Sequence, residues 1–138
     1  MEEANSRTFS LDIITPDKKA FSGEVNYIKA PGIEGYLGIL TNHAPLLSAL
    51  KIGELEVLNG DQRQFYAISG GFMEVLKNQV RVLAETAEQA DVIDLERAVT
   101  SKVRAENRLS SEDKKTDIDR ARIALYRAIN RIKIAGKK

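Results

Sequence analysis

The chain contains no cysteine and no tryptophan, and only one histidine and three prolines in 138 residues. Without cysteine there can be no disulfide framework, thiolate zinc site, iron–sulfur cluster or cysteine nucleophile. A lone His43 removes most metal sites and every mechanism that needs two imidazoles. No apolar run approaches the roughly 20 residues of a membrane span. Met1 to Ser10 lacks the basic start and apolar run of a secretory leader. The expectation is a cytosolic protein, or one attached to a membrane only through partners, with no metal centre. With 43% hydrophobic and 30% charged residues the chain can nevertheless bury a core. Its length suits one domain, or one small domain with an appendage.

The net charge of +1 conceals an uneven distribution. Residues 1–91 carry 8 Lys and Arg against 13 Asp and Glu, whereas residues 92–138 carry 13 against 7. A basic arm thus follows an acidic body. Such asymmetry points to an anionic partner for the arm, whether nucleotide, nucleic acid or acidic protein surface.

The body reads as strands, because apolar residues alternate with polar ones between turns marked by Gly, Pro, Asn and Asp. Phe9, Leu11 and Ile13 share one face of an opening strand. Strands follow at Val25 to Ala30, Tyr36 to Leu40, Leu46 to Ile52, Glu54 to Leu58, Gln64 to Ser69, Phe72 to Leu76 and Val80 to Ala84. Asn59-Gly60-Asp61 is a hairpin signal, and Gly70-Gly71 is expected to separate two strands. About eight short strands without intervening helices favour a β-sandwich or barrel.

From Asp91 the period changes to about 3.6, with Leu95, Val99 and Val103 along one stripe and Ala98, Ala105 and Leu109 beside it. Asp91 is the expected N-cap, with Asp94 and Glu96 in the first turn. The polar run Ser110 to Lys115 breaks this helix. A second helix is expected from Thr116 or Asp117 to Gly136, with Ile118, Ala121, Leu125, Ala128, Ile129 and Ile132 as its stripe. A short connection folds such helices back as an antiparallel hairpin. The fold class is therefore α+β: an N-terminal antiparallel β-sandwich over residues 1–88, then a C-terminal antiparallel two-helix hairpin over 91–138.

Few motifs carry chemistry. There is no G-x-x-x-x-G-K-[ST] loop for hydrolysing ATP. Gly32, Gly35 and Gly38 lie among strands and open no helix, so turn geometry explains them better than dinucleotide binding. His43 has neither a nucleophile elbow nor an obvious carboxylate partner. Glu54 and Glu56 share a strand face, which reads as solvated. In the arm, Asp94 and Arg97, Arg97 and Arg104, and Arg127 and Arg131 stand at helical spacings that put each pair on one face. Folding the hairpin would bring such guanidiniums together as a polyphosphate site, with Asp94 orienting an arginine or accepting from a ribose hydroxyl or amino group. From spacing alone a solvated face of weak surface pairs is the favoured reading.

Several segments raise the first reading. Gly35-Tyr-Leu-Gly-Ile-Leu-Thr-Asn-His-Ala-Pro-Leu-Leu47, Tyr66-Ala-Ile-Ser-Gly-Gly-Phe-Met-Glu-Val75 and Leu11-Asp-Ile-Ile-Thr-Pro16 resemble signatures of the epsilon subunits of bacterial F-type ATP synthase. Ile93-Asp-Leu-Glu-Arg-Ala98 is similar to the ATP-binding motif I/L-D-x-x-R-A of that family, and the resemblance spans nearly the whole chain. It implies a non-catalytic subunit of the rotary central stalk, with no catalytic residue and no metal ligand, that helps couple proton flow to ATP synthesis. The sandwich would dock on the gamma subunit and the membrane rotor ring, at the cytoplasmic face of a bacterial membrane and without inserting into it. The hairpin would lie folded on the sandwich, or open along gamma to inhibit ATP hydrolysis by the catalytic head. ATP as a regulatory ligand would be held by Glu88, Ile93, Asp94, Arg97, Ala98, Arg104, Arg127 and Arg131; whether magnesium assists is left open. Arg122, Arg127, Arg131 and Lys133 are the charges best suited to meet acidic surfaces of the head.

A basic-armed nucleic-acid-binding module is the alternative, since the arm could lie on phosphates. Its only aromatic residue, Tyr126, gives no stacking platform, which argues against that reading. A sandwich binding carbohydrate or another small ligand is weakened by the absence of tryptophan.

Overall fold

Alternation in the body sets strands whose one face is sealed. In the computed structural model, which describes residues 7–111 and 117–137, Phe9, Leu11 and Ile13 of β1 (Phe9–Ile14) are fully buried. The series continues with β2 (Lys19–Val25), β3 (Tyr27–Gly32), β4 (Gly35–Ile39), β5 (Leu46–Asn59), β6 (Gln62–Leu76), β7 (Gln79–Ala84) and the short β8 (Ala87–Gln89). Their order in the sheet is β2-β1-β7-β6-β5-β3-β4, with β8 added on β6. β1 runs parallel to β7, and the other pairings are antiparallel.

Two layers arise because the long strand β6, paired with β5 throughout, changes its other partner along its length. The first half of β6 lies between β5 and β8, and the second half between β5 and β7. The change falls at Gly70 and Gly71, whose φ values of 94° and 134° favour glycine. A Cβ on Gly71 would stand 2.0 Å from the carbonyl oxygen of Leu83. These glycines therefore bend one strand and do not separate two, contrary to the sequence expectation. Leu46–Asn59 is likewise one strand, passing through Gly53 without a break. Leu55, Val57, Ile28, Met73, Val80 and Val82 fill the interior between the layers. Asn59-Gly60 turns β5 into β6 as expected, with Gly60 at φ 63°. Gly32 and Gly35 close the β3–β4 hairpin, in line with turn geometry.

A short 3-10 helix (Ala90–Val92) leads into α1 (Leu95–Leu109), and α2 (Ile118–Ala135) ends at Gly136. The N-cap of α1 is Asp94, whose Oδ1 accepts from the Arg97 backbone N–H at 3.1 Å. Asp91, expected in that role, belongs to the 3-10 turn. Asp117 caps α2 in the same way through Arg120. The alternative start at Thr116, most of the polar run Ser110 to Lys115, and the outer domain limits 1 and 138 lie outside the described residues.

The hairpin seam is built from alanines that the sequence placed along or beside its apolar stripes. Ala98 and Ala105 on α1 and Ala121 and Ala128 on α2 are buried, each pair seven residues apart. This heptad spacing of small side chains lets two helices approach closely. Leu95, Val99 and Val103, the apolar stripe read from the sequence, remain 43–51% exposed. No described helix is long and apolar enough to cross a membrane.

Candidate functional site

The face of α2 laid on the sandwich carries Arg127, Asn130 and Arg131, which helical geometry places one turn apart. Asn130 donates its Nδ2 proton to the carbonyl of Gly53 on β5 at 2.9 Å. Arg131 Nη2 donates to Glu88 Oε2 at 3.0 Å, while its Nε lies 2.8 Å from Oε1. That second approach is a charge contact without hydrogen-bond alignment. Arg127 Nη2 donates to Glu85 Oε2 at 3.3 Å. Two guanidiniums of the arm are thus met by two carboxylates at the end of the sandwich.

Between them lies a cavity of about 140 Å³ lined by Ser69, Thr86, Glu88, Arg127, Asn130 and Arg131 over an apolar floor of Ile52, Ala67 and Ile68. The Ser69 and Thr86 hydroxyls are hydrogen-bonded to each other at its edge. Arginines, an amide and hydroxyls make a donor-rich wall, the composition that receives phosphate or carboxylate oxygens.

The other residues named from the sequence are distributed differently. Ile93 is buried with Ala67, Ala90, Ile134 and Ala135, in a small cluster that joins the hairpin to the sandwich. Ala98 is sealed in the helix seam. Asp94 spends Oδ1 on the helix cap formed with the backbone of Arg97. Arg104 lines a separate surface groove on α1 with Thr100, Val103, Asn107 and Arg108. Arg122 pairs with Asp119 on the solvent side at 3.8 Å. Lys133 borders a cleft of about 450 Å³ with Tyr36, Lys51 and Tyr126. The structure thus gathers Glu88, Arg127 and Arg131 at one cavity, and Arg104 lines another.

Besides Ser69, Thr86 and Asn130 at the cavity, and Lys137, three residues escaped the sequence reading. Glu85 supplies the partner of Arg127. Glu54, expected on a solvated face, is 7% exposed because α2 covers it, and its carboxylate meets Lys137 just beyond the helix. Lys137 also stands 5.1 Å from the ring centre of Phe65. Tyr66 is the third. Burial first, and the Asp91 charge second, raise its phenol above the ordinary tyrosine value. A Leu-Glu-Val alternation reads as half-exposed, so nothing local in the sequence announced that a distant helix would cover Glu54.

Residues 8–90 match the family model described as ATP synthase, Delta/Epsilon chain, beta-sandwich domain, and residues 91–136 match the long alpha-helix domain of the same chains. The ATP synthase epsilon chain of Desulforamulus reducens is 54% identical over 130 residues, covering 94% of this chain and 98% of its own. That of Syntrophomonas wolfei is 49% identical over 133 residues, covering 94% and 96%. Among solved structures, a chain in the Euglena gracilis mitochondrial ATP synthase assembly of OSCP, F1 and c-ring superposes with a TM-score of 0.80. It is 26% identical, and the match covers 95% of this chain and 82% of that one.

Proposed function

Since the chain belongs to the ATP synthase delta/epsilon chain family, whose epsilon chains are non-catalytic subunits, we propose that it regulates its complex by an ATP-sensitive hairpin. It is an epsilon-type subunit of the central stalk. The sandwich, assigned to 1–88, docks on the gamma subunit and the rotor ring at the cytoplasmic face of the membrane. The arm, assigned to 91–138, opens to inhibit ATP hydrolysis by the catalytic head.

The observation that carries this reading is the thinness of the joint between arm and body. The main core unites the sandwich strands. The cluster joining the hairpin to the sandwich contains Ala67, Ala90, Ile93, Ile134 and Ala135, with part of Phe65. Alanines bury little area, and each isoleucine contributes roughly 1.5–3 kcal/mol. An interface this small, supplemented by Arg127–Glu85, Arg131–Glu88 and Glu54–Lys137, suits two states close in free energy. Modest differential binding then shifts the population between them. The exposed row Leu95, Val99 and Val103 gives the opened arm an apolar face to bury against its complex.

ATP favours the folded arm because Arg127 and Arg131 reach one cavity only when α2 lies on β5 and β6. The cavity accepts phosphate-sized groups; at about 140 Å³ it is smaller than the ~300 Å³ lower bound of whole-ligand sites. Base and ribose therefore extend beyond it, toward the start of α1 where Asp94, Arg97 and Ala98 stand, and seating them requires a shift of the hairpin. Arg104 joins the site only after such a shift. When the arm opens, Arg127 and Arg131 leave Glu85 and Glu88 and join Arg122 and Lys133 in meeting acidic surfaces of the head, so ATP and the head compete for the same two arginines. The test is ATP hydrolysis by the reconstituted complex at low and high ATP, with the intact chain and with Arg127→Ala/Arg131→Ala. The variant should lose the relief of inhibition that ATP brings. Unchanged ATP dependence would remove the arginine cavity as the sensor.

A further inference from the structure

We propose that Glu85 sets the affinity of the arm for nucleoside triphosphate by occupying Arg127 in the unliganded protein. The inference rests on the reading that phosphate is held by Arg127 and Arg131, and adds a residue that no sequence motif assigns to that site.

Glu85 follows β7, and its backbone N–H is held by the Gly70 carbonyl at 3.1 Å, so its position is fixed by the sheet. Its Oε2 accepts from Arg127 Nη2 at 3.3 Å, across 42 residues of sequence. The two side chains are 67% and 48% exposed. A pair so open to water adds little to folding. Its effect on binding is larger in kind, because a phosphate oxygen needs the same guanidinium donor that the carboxylate holds. Glu85 also places a negative charge beside the cavity that a polyanion must enter. Both effects weaken the ligand in the same direction. Glu88 differs, since it faces Arg131 in a less exposed contact at the docking surface itself. Glu85 is thus the carboxylate that can change without undoing the fold.

The test is calorimetric titration of the full chain with ATP, comparing wild type, Glu85→Gln, Arg127→Ala and the double variant, with melting temperatures recorded without ligand. Gln keeps the size of the side chain and removes its charge. Glu85→Gln should bind ATP about three- to tenfold more tightly at unchanged melting temperature, the range expected for releasing one exposed pair and one repulsive charge. The gain should disappear in the Arg127→Ala background and shrink as salt is raised. Equal or weaker binding by Glu85→Gln, with Arg127→Ala still costing affinity, would overturn this role and leave the arginine site standing. A gain that persists without Arg127 would overturn occupation of that arginine as the cause. Absence of ATP binding in both wild type and Glu85→Gln would overturn the role and the site together.

Discussion

Arg131 of α2 and Glu88 of β8, 43 residues apart, meet in a hydrogen bond of 3.0 Å and a second charge contact of 2.8 Å. The pair is one of the fastenings between arm and body, and it uses the guanidinium that would hold phosphate. Docking of the hairpin and formation of the proposed ligand cavity are consequently one event. Removing Arg131 should therefore cost more than removing a peripheral arginine. Arg131→Ala should weaken ATP binding at least tenfold, about 1.4 kcal/mol, and also speed amide exchange in α2 without ligand. Arg127→Ala, whose partner is more exposed, should weaken ATP binding with a smaller effect on exchange. Identical exchange in both variants would contradict the difference drawn between the two pairs.

The ion pair just beyond the C-terminal end of α2 should act on docking without touching the cavity itself. Lys137→Met would leave the Glu54 carboxylate under α2 without its counter-charge. Breaking a buried pair costs roughly 3–5 kcal/mol, but Lys137 is one-third exposed, so about 1–2 kcal/mol is expected after screening. Amide exchange at Ile134 and Ala135 should quicken about tenfold while β1 and β7 stay protected. Adding Glu54→Gln should recover part of the loss, because the carboxamide needs no counter-charge.

The body was largely legible because its signals are local. The buried row Phe9, Leu11, Ile13 and the turn at Asn59-Gly60 follow from alternation and turn chemistry that any short window displays. Gly70-Gly71 was visible as an interruption, yet bend and break look alike until the neighbouring strands are placed. β2 was missed, and its last residue Val25 was assigned to the following strand, since Lys19–Val25 at the sheet edge buries only that residue fully. In the arm, Asp91 and Asp94 are both acceptable caps, and the 3-10 turn that selects Asp94 depends on Ala90 packing on the sandwich. The arginines stood out by spacing and by family resemblance. Glu88 was named only through that resemblance, and Glu85 not at all, because both carboxylates are joined to the arginines only through the folded hairpin.

The bend in β6 gives a test of the body. Gly71→Ala would drive a Cβ into the Leu83 carbonyl at a φ that side chains rarely adopt. Strain of this kind costs roughly 1–3 kcal/mol before the steric overlap is counted. The urea midpoint should fall by an amount corresponding to at least ~3 kcal/mol. Gly60→Ala, also at positive φ but in open space, should cost less. Equal losses would show that the overlap at Gly71 is relieved by movement of β7.

Tyr66 gives a pH dependence with a definite sign. Its folded-state pKa lies above the unfolded value of about 10. The native protein therefore keeps the proton after the unfolded chain begins to lose it. Stability from this group is fully present below pH ~10 and is lost as pH rises through the folded-state value. Between pH 8 and 10.5 the wild type should lose more stability in urea than Tyr66→Phe. Equal losses would remove burial of the phenol as the cause.

The central claim is that ATP closes the arm on the body, and an intramolecular distance tests it most directly. The chain has no native cysteine, so Asp61→Cys on the sandwich and Glu106→Cys on α1 accept spin labels without interference. Pulsed dipolar spectroscopy of the full chain should give a mixture of short and long distances without ATP. With ATP the short population should grow, saturably, and the growth should vanish with Arg127→Ala/Arg131→Ala. A distance distribution that ATP leaves unchanged, in a protein shown to bind it, would contradict the claim.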